Sequence, residues 1–256
     1  MGHHDLEITP IGFGAFKIGR NQGIKYPDAY DLPDENAVAT LLNGALDLGI
    51  NYIDTAPAYG LSEERIGRAI GHRRDEFVIS SKVGETFAAG QSSHDFSSHA
   101  VRESVQRSLR LRRDALDIVF VHAGRDDLGV LTSTDVVQTL EGLRDQGLVK
   151  RIGFSGYTAD AFDAALSWAD VLMVTYHKDD PSLESVIAKA GGRGVAVVVK
   201  KALASGHLDA EEAIRFVLAN PHVTSAVIGG LSLEHLSENV RVAEQVRGPG
   251  AILERT

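Results

Sequence analysis

Eight short apolar runs, separated by amphipathic segments, constrain the fold of this chain more than any other feature of its sequence. They are "PIGFGAFKIG", "NYIDTA", "EFVISSKVG", "LDIVFVHA", "VKRIGFSG", "VLMVTYH", "VAVVVKK" and "SAVIGG". Their centres are rich in β-branched residues and nearly continuously apolar, the pattern of strands covered on both faces. Between the runs, Glu35 to Leu48, Ser62 to Ile70, His99 to Leu111, Thr134 to Asp145 and Thr158 to Trp168 carry apolar residues at helical spacing, and Asp34, Ser62 and Thr158 stand as N-caps. Strand and helix in alternation require a parallel sheet with helical crossovers. Eight such units predict a (β/α)8 TIM barrel, and 256 residues match the roughly 250 that such a barrel takes. A doubly wound open sheet is the alternative. Against it, no GxGxxG opens the first helix, and the "GFG" at Gly12 to Gly14 is too short for that fingerprint. Neither a Pro/Ser-rich linker nor a shift in composition divides the chain, so residues 1–256 read as one domain.

No window approaches the roughly 18 consecutive apolar residues of a membrane span, and no membrane partner is expected. The start "MGHHDLEITP" has neither a basic n-region nor an apolar h-region, which points to the cytoplasm; His3 and His4 are given no function. The absence of cysteine excludes disulfides and thiolate metal sites and agrees with that compartment. A net charge of -9, with no dense Lys/Arg tract interleaved with aromatics, argues against nucleic acid as a partner.

In a TIM barrel the chemistry sits where strands end and βα loops begin. Asp54 closes "NYID", Lys82 closes "VISSK", His122 closes "IVFVH", and Tyr59 follows Asp54 in the next loop. Each has a plain structural use alone: a turn-capping aspartate, a half-buried phenol, a solvated lysine, a satisfied core histidine. Together they are costly to dehydrate without mutual compensation, so the four are candidates for proton-transfer chemistry at one rim.

"NYIDTAPAYGLSEERIG", then "SSKVG", "DIVFVHA", "IGFSGY" and "VIGGLSLEHLSEN", in order from about Gly12 to Asn239, resemble the aldo-keto reductase superfamily. The resemblance implies reduction of a carbonyl by NADPH or NADH, with Asp54, Tyr59, Lys82 and His122 as the catalytic tetrad and no metal. Tyr59 is then the proton donor, and His122 orients and polarises the carbonyl oxygen. Lys82 is expected to favour the phenolate and lower the tyrosine pKa, with Asp54 holding Lys82 charged. Ser62 and Glu63, which complete the motif, are expected to cap the next helix.

The same resemblance places the cofactor. Ala15, Phe16 and Asp54 border it, and Ser155 meets the nicotinamide carboxamide. Gly156 stands where the family usually has Asn, Met173 where relatives often have Gln, and Lys200 where many have a stacking Tyr. Lys201, Ala202, Leu203 and Ser205 fall at the pyrophosphate. Gly229, Gly230 and Leu231 lie near phosphate at a helix N-terminus, a ready site for anions. Glu238 and Asn239 fall on adenine, and His235 replaces an arginine that grips the 2'-phosphate. NADP(H) is the family default, and NAD(H) remains open. "HLDAEEAIRFVL" runs almost directly into a helix, so the loop that clasps pyrophosphate in many relatives is expected to be missing and cofactor exchange quick. Phe16, Lys17, Arg20, Tyr26 to Tyr30, Phe87 and Ala123 to Arg125 should face the mouth, and the tail "GPGAILERT" is short, which predicts an open pocket for a small carbonyl or sugar-like substrate. Two rival readings stay in view: an NAD-dependent sugar or polyol dehydrogenase, and a non-catalytic nicotinamide-cofactor sensor. A monomer is the family-level expectation.

Overall fold

The computed structural model describes residues 6–24, 26–110 and 115–249. His3, His4, the predicted helix end at Leu111 and the tail from Gly250 lie outside them. In chain order the strands are β1 (Ile11–Gly14), β2 (Tyr52–Asp54), β3 (Val78–Val83), β4 (Glu85–Ala88), β5 (Gln91–His94), β6 (Leu116–His122), β7 (Val149–Ser155), β8 (Val171–Thr175), β9 (Ala196–Lys200) and β10 (Ser225–Ile228). Eight of them close into a parallel barrel in the order β1-β10-β9-β8-β7-β6-β3-β2, as the sequence predicts, with β1 pairing back to β2. The remaining two, β4 and β5, form an antiparallel hairpin between β3 and the next helix.

The helices among the described residues are α1 (Glu35–Asp47), α2 (Ser62–Ile70), α3 (Ser98–Arg110), α4 (Asp127–Ser133), α5 (Val136–Asp145), α6 (Ala159–Ala165), α7 (Glu184–Gly192), α8 (Ala210–Ala219) and α9 (Leu233–Arg247). None is long and apolar enough to cross a membrane. Asp34 caps α1 through the Ala37 N–H, and Thr158 caps α6 through the Ala161 N–H, as expected. Helix α5 starts two residues later than Thr134, because Thr134 is extended and bonds back to Val130 at the end of α4, a helix the periodicity did not reveal.

Ser62 and Glu63 correct their expected role as caps. Residue 61, not 62, is the N-cap of α2, and it makes no side-chain capping bond. Ser62 is fully buried; its hydroxyl donates to the Ala15 carbonyl at 2.9 Å and shares a 2.8 Å bond with Thr55. The Glu63 carboxylate accepts from Ser81 and Ser108, tying α2 to β3 and α3. Burial decides the difference: a polar side chain carried into the interior is used on whatever donor faces it there, not on its own helix end.

Two apolar clusters hold the fold. The larger fills the space between barrel and helices, with Phe13, Ile53, Ile79, Val119 and Val199 facing outward from the strands. The smaller fills the barrel itself: Tyr52, Ile118, Phe120, Val171, Met173 and Val198 point inward, and Leu6 and Ile8 close the lower end. Because successive strand residues face opposite ways, the last inward position of each strand is fixed two residues above this layer. Asp54, Lys82, His122, Ser155 and Lys200 occupy those positions, while Met173 belongs to the layer itself.

Candidate active site

Asp54 and Lys82 form a buried ion pair at the top of the barrel. Lys82 Nζ donates to both carboxylate oxygens of Asp54, at 2.6 and 2.8 Å, and to the Thr55 carbonyl at 2.8 Å. Ser80 donates to Asp54 Oδ1 at 2.7 Å and is itself bonded to the Tyr52 hydroxyl, so the carboxylate is anchored from below through the barrel interior. Such a pair must satisfy its remaining hydrogen-bonding capacity to survive burial, and these partners do so.

Tyr59 hangs over the pair. It ends a short 3-10 turn, Pro57–Tyr59, whose Ala58 carbonyl accepts from Arg20 and whose exit into α2 is tied by the Leu61 N–H to the Gly19 carbonyl. Lys82 Nζ lies 4.8 Å from the Tyr59 ring centroid, Phe16 packs edge-on at 5.1 Å, and the His122 ring stands perpendicular at 6.5 Å. The expected downward shift of the Tyr59 pKa is reversed. Burial pushes the phenol well above its ordinary value, and the carboxylates of Asp54 and Glu85 push the same way. Lys82 does not offset this because its donors are committed to Asp54 and Thr55 and its charge is matched by Asp54. Burial also lowers the Lys82 pKa, against the opposing pull of Asp54.

The hairpin brings in a residue that sequence reasoning missed. Gly84, at φ +104, turns the chain out of β3 where a Cβ would meet the Phe96 ring at 2.0 Å, and Glu85 is thereby returned to the mouth. Its Oε2 lies 2.9 Å from His122 Nδ1, without the alignment of a hydrogen bond. Burial alone would raise the Glu85 pKa; contact with His122, assisted by Ser92 and His94, outweighs it and holds the carboxyl at about 2. Burial lowers the His122 pKa, Lys82 and Lys200 add to that, and Glu85 opposes it. Glu85→Gln is therefore expected to move the His122 titration further down, because the one group that opposes the burial effect is lost. An NMR pH titration of its ring protons reads this directly, and an unchanged midpoint would count against the coupling.

A cleft of about 360 Å3 covers this rim. Of the residues assigned from sequence, Phe16, Asp54, Tyr59, His122, Met173, Lys200, Lys201, Ser205 and Gly229 line it, as do Arg20 and Tyr26 of the expected mouth; Glu85, Ser92 and Tyr157 join them. Met173 is both strand core and cleft floor, being only 1% exposed. Ala15 is buried with its carbonyl taken by Ser62 and does not border the cleft, nor do the buried Ala202 and Ala123. Phe87 lies under the Arg20 guanidinium at 3.3 Å, and Lys17 sits over the Tyr26 and Tyr30 rings. Ser155, Gly156, Leu203, Gly230, Leu231, His235, Glu238 and Asn239 lie outside the lining, with His235 and Glu238 exposed on α9 and Asn239 buried.

Two regions of the cleft are built for particular chemistry. Gly14 and Gly229 approach so closely that a Cβ on Gly229 would sit 3.1 Å from the Gly14 carbonyl, leaving a bare backbone cradle just before α9, whose N-terminus is capped by Ser232. Lys201 and Ser205 face it from a loop in which Lys201, Ala204 and Ser205 all hold positive φ, strain of about 1–3 kcal/mol each of the kind that collects at functional sites. A close backbone approach, a helix N-terminus and a lysine suit a phosphate-bearing ligand. The loop from β9 to α8 is short, as expected, with α8 starting at Ala210.

The second region lies behind the cleft wall, in the turn after β7 from which Tyr157 reaches the lining. Asp127 is buried and its carboxylate accepts from the backbone N–H groups of Tyr157 and Thr158 and from the Thr158 hydroxyl. A Cβ on Gly156 would meet the Phe154 ring at 2.5 Å and Asp127 Oδ2 at 2.9 Å, which is why the family's usual Asn does not fit here. Gly156→Asn is expected to destabilise the fold by about 1–3 kcal/mol, read as a lower urea midpoint. In place of an amide, Lys200 reaches across, donating to Ser155 Oγ at 2.9 Å and the Gly156 carbonyl at 3.1 Å.

An aldo/keto reductase family model matches residues 10–213. An aldo-keto reductase candidate of known structure from Pseudomonas aeruginosa is 39% identical, superposes with a TM-score of 0.88, and is covered over 93% of its chain by 96% of this one. L-galactose dehydrogenase of Arabidopsis thaliana is 26% identical over 98% of this chain and 89% of its own length. The NADH-specific methylglyoxal reductase of Escherichia coli is 27% identical over 81% of this chain and 68% of its own. The matched span runs from the first barrel strand into α8 and contains all four rim residues. The chain belongs to the aldo/keto reductase family.

Proposed function

We propose that the protein is an NAD(P)H-dependent oxidoreductase that reduces aldehydes and ketones to alcohols. The observation that carries this reading is the Tyr59 phenol held over the buried Asp54–Lys82 pair in a cleft with a phosphate-suited cradle at its other end. The nicotinamide cofactor supplies hydride to the carbonyl carbon when bound. Lys201, Ser205, Gly229 and the N-terminus of α9 would hold its phosphates, and Ser155, Met173 and Lys200 its nicotinamide end.

The protein's own groups then handle the proton and the developing charge. Tyr59 gives its phenolic proton to the carbonyl oxygen as negative charge builds there. A phenol held above its ordinary pKa is fully protonated at neutral pH, which suits a donor. Lys82, fixed by Asp54 and 4.8 Å from the Tyr59 ring centroid, offsets the Asp54 charge that would otherwise oppose the phenolate left behind. His122 orients the carbonyl beside Tyr59. Arg20, Phe16, Tyr26 and Tyr157 form an aromatic and basic mouth for a small carbonyl compound or an open-chain sugar.

The sugar dehydrogenase among the relatives makes NAD-dependent oxidation the second reading, and His235 in place of the family's arginine keeps NADH in contention with NADPH. Absorbance assays of NADPH and NADH oxidation with 4-nitrobenzaldehyde and a diketone, beside NAD reduction with aldoses, decide between them. Turnover in the first set is expected. Turnover confined to the second would select the dehydrogenase, and cofactor binding without either would select a sensor.

A further inference from the structure

Two lysines stand at this rim, Lys82 buried beneath it and Lys200 half-buried in the cleft wall, and only one is matched by charge. Lys82 is paired with Asp54. Lys200, at the end of β9 and level with Thr175 of β8, bonds only to the neutral Ser155 hydroxyl and Gly156 carbonyl, and no carboxylate lies at ion-pair distance from it among the described residues. Its Nζ is also 4.8 Å from the Tyr157 ring centroid. The charges facing it come from next along the chain and from across the rim: Lys201, Lys82 from β3, His122 from β6, Asp54 from β2 and Asp127 from α4. Burial lowers its pKa most, Lys201 and Lys82 lower it further, Asp54 and Asp127 partly restore it, and the result is about 7. The Lys200 ammonium is therefore held far less firmly than that of an ordinary lysine.

This residue sits against Ser155, where the nicotinamide end is assigned, and the inference rests on that assignment. The reduced nicotinamide ring is neutral and the oxidised ring carries a full positive charge. A second cation held in a dehydrated site beside that ring opposes one redox form and leaves the other alone. We propose that Lys200 discriminates between the two oxidation states of the cofactor, its ammonium weakening the binding of the oxidised form, so that this form binds with release of the Lys200 proton. Reduced cofactor is then favoured at neutral and lower pH, oxidised product leaves readily, and alcohol oxidation gains as pH rises.

The test is binding, not turnover. Dissociation constants of NADP+ and NADPH are measured from about pH 6 to about pH 9 by fluorescence and by calorimetry in buffers of different ionisation enthalpy. The ratio of the two constants cancels the titration of the phosphates, which both forms share. For the wild type, the preference for NADPH over NADP+ is expected to fall by about tenfold or more across this range, with close to one proton released per NADP+ bound at the acid end. Lys200→Met should bind NADP+ more tightly and lose the pH dependence of the ratio, whereas Lys200→Arg, a permanent cation, should bind it weakly at every pH. A lysine that merely braces Ser155 and Gly156 would shift both forms together. A pH-independent ratio in the wild type, or a ratio that keeps its pH dependence in Lys200→Met, overturns the proposal even if one variant folds poorly. Failure of the wild type to bind either form overturns the nicotinamide reading as well.

Discussion

Tyr59→Phe is expected to lower kcat for carbonyl reduction by about 10²–10⁴-fold, the range contributed by a positioned proton donor, with little change in cofactor affinity or stability. The ring contacts with Phe16 and Lys82 survive the substitution, so only the hydroxyl is lost. Single-turnover kinetics isolate the chemical step, and a phenylalanine variant with near-normal turnover would remove Tyr59 from the mechanism. The pH dependence carries a sign. Because the folded-state pKa of Tyr59 is raised, the donor remains protonated through the ordinary tyrosine range near pH ~10, and the alkaline fall in activity should begin above it. Keeping the phenol neutral also contributes stability that is present below the unfolded value of about 10 and lost as pH rises through the folded value.

The second large effect concerns the ion pair beneath. Asp54→Leu leaves the Lys82 ammonium buried with the Thr55 carbonyl as its remaining partner, and truncating one side of a buried pair costs about 3–5 kcal/mol. The double variant Asp54→Leu/Lys82→Met removes both charges and should recover much of that stability while remaining inactive, a coupling that urea denaturation of the four proteins measures. The single variant should also be less destabilised at high pH. Its buried lysine favours the neutral form, so the unfolded chain binds the extra proton until pH approaches ~10.4, and stability rises toward that value. Additive losses in the double variant would contradict a mutually compensating pair.

What could be read from the sequence follows from the twofold period of a strand. Asp54, Lys82, His122, Ser155 and Lys200 stand at or near the ends of buried runs, and a parallel barrel leaves them at the rim where the candidate site lies. Glu85 was not legible because it lies past the end of β3, and only the folding of "GETFAAGQSSH" into a hairpin returns it to His122. Ser62 and Glu63 were misread for a related reason: their spacing is that of a cap, but their burial is set by three other elements. The direction of the Tyr59 shift also escaped. Sequence places a lysine nearby, but only the structure places its hydrogen bonds on Asp54 and Thr55.

The most direct measurement uses NADPH deuterated at nicotinamide C4, each face labelled in turn, with 4-nitrobenzaldehyde and the wild-type protein, and mass spectrometry of the alcohol. Deuterium on the carbinol carbon from one labelled face, with formation of the alcohol nearly abolished in Tyr59→Phe, is the predicted result. No alcohol from either cofactor, or alcohol free of deuterium from both faces, would contradict hydride transfer at this site.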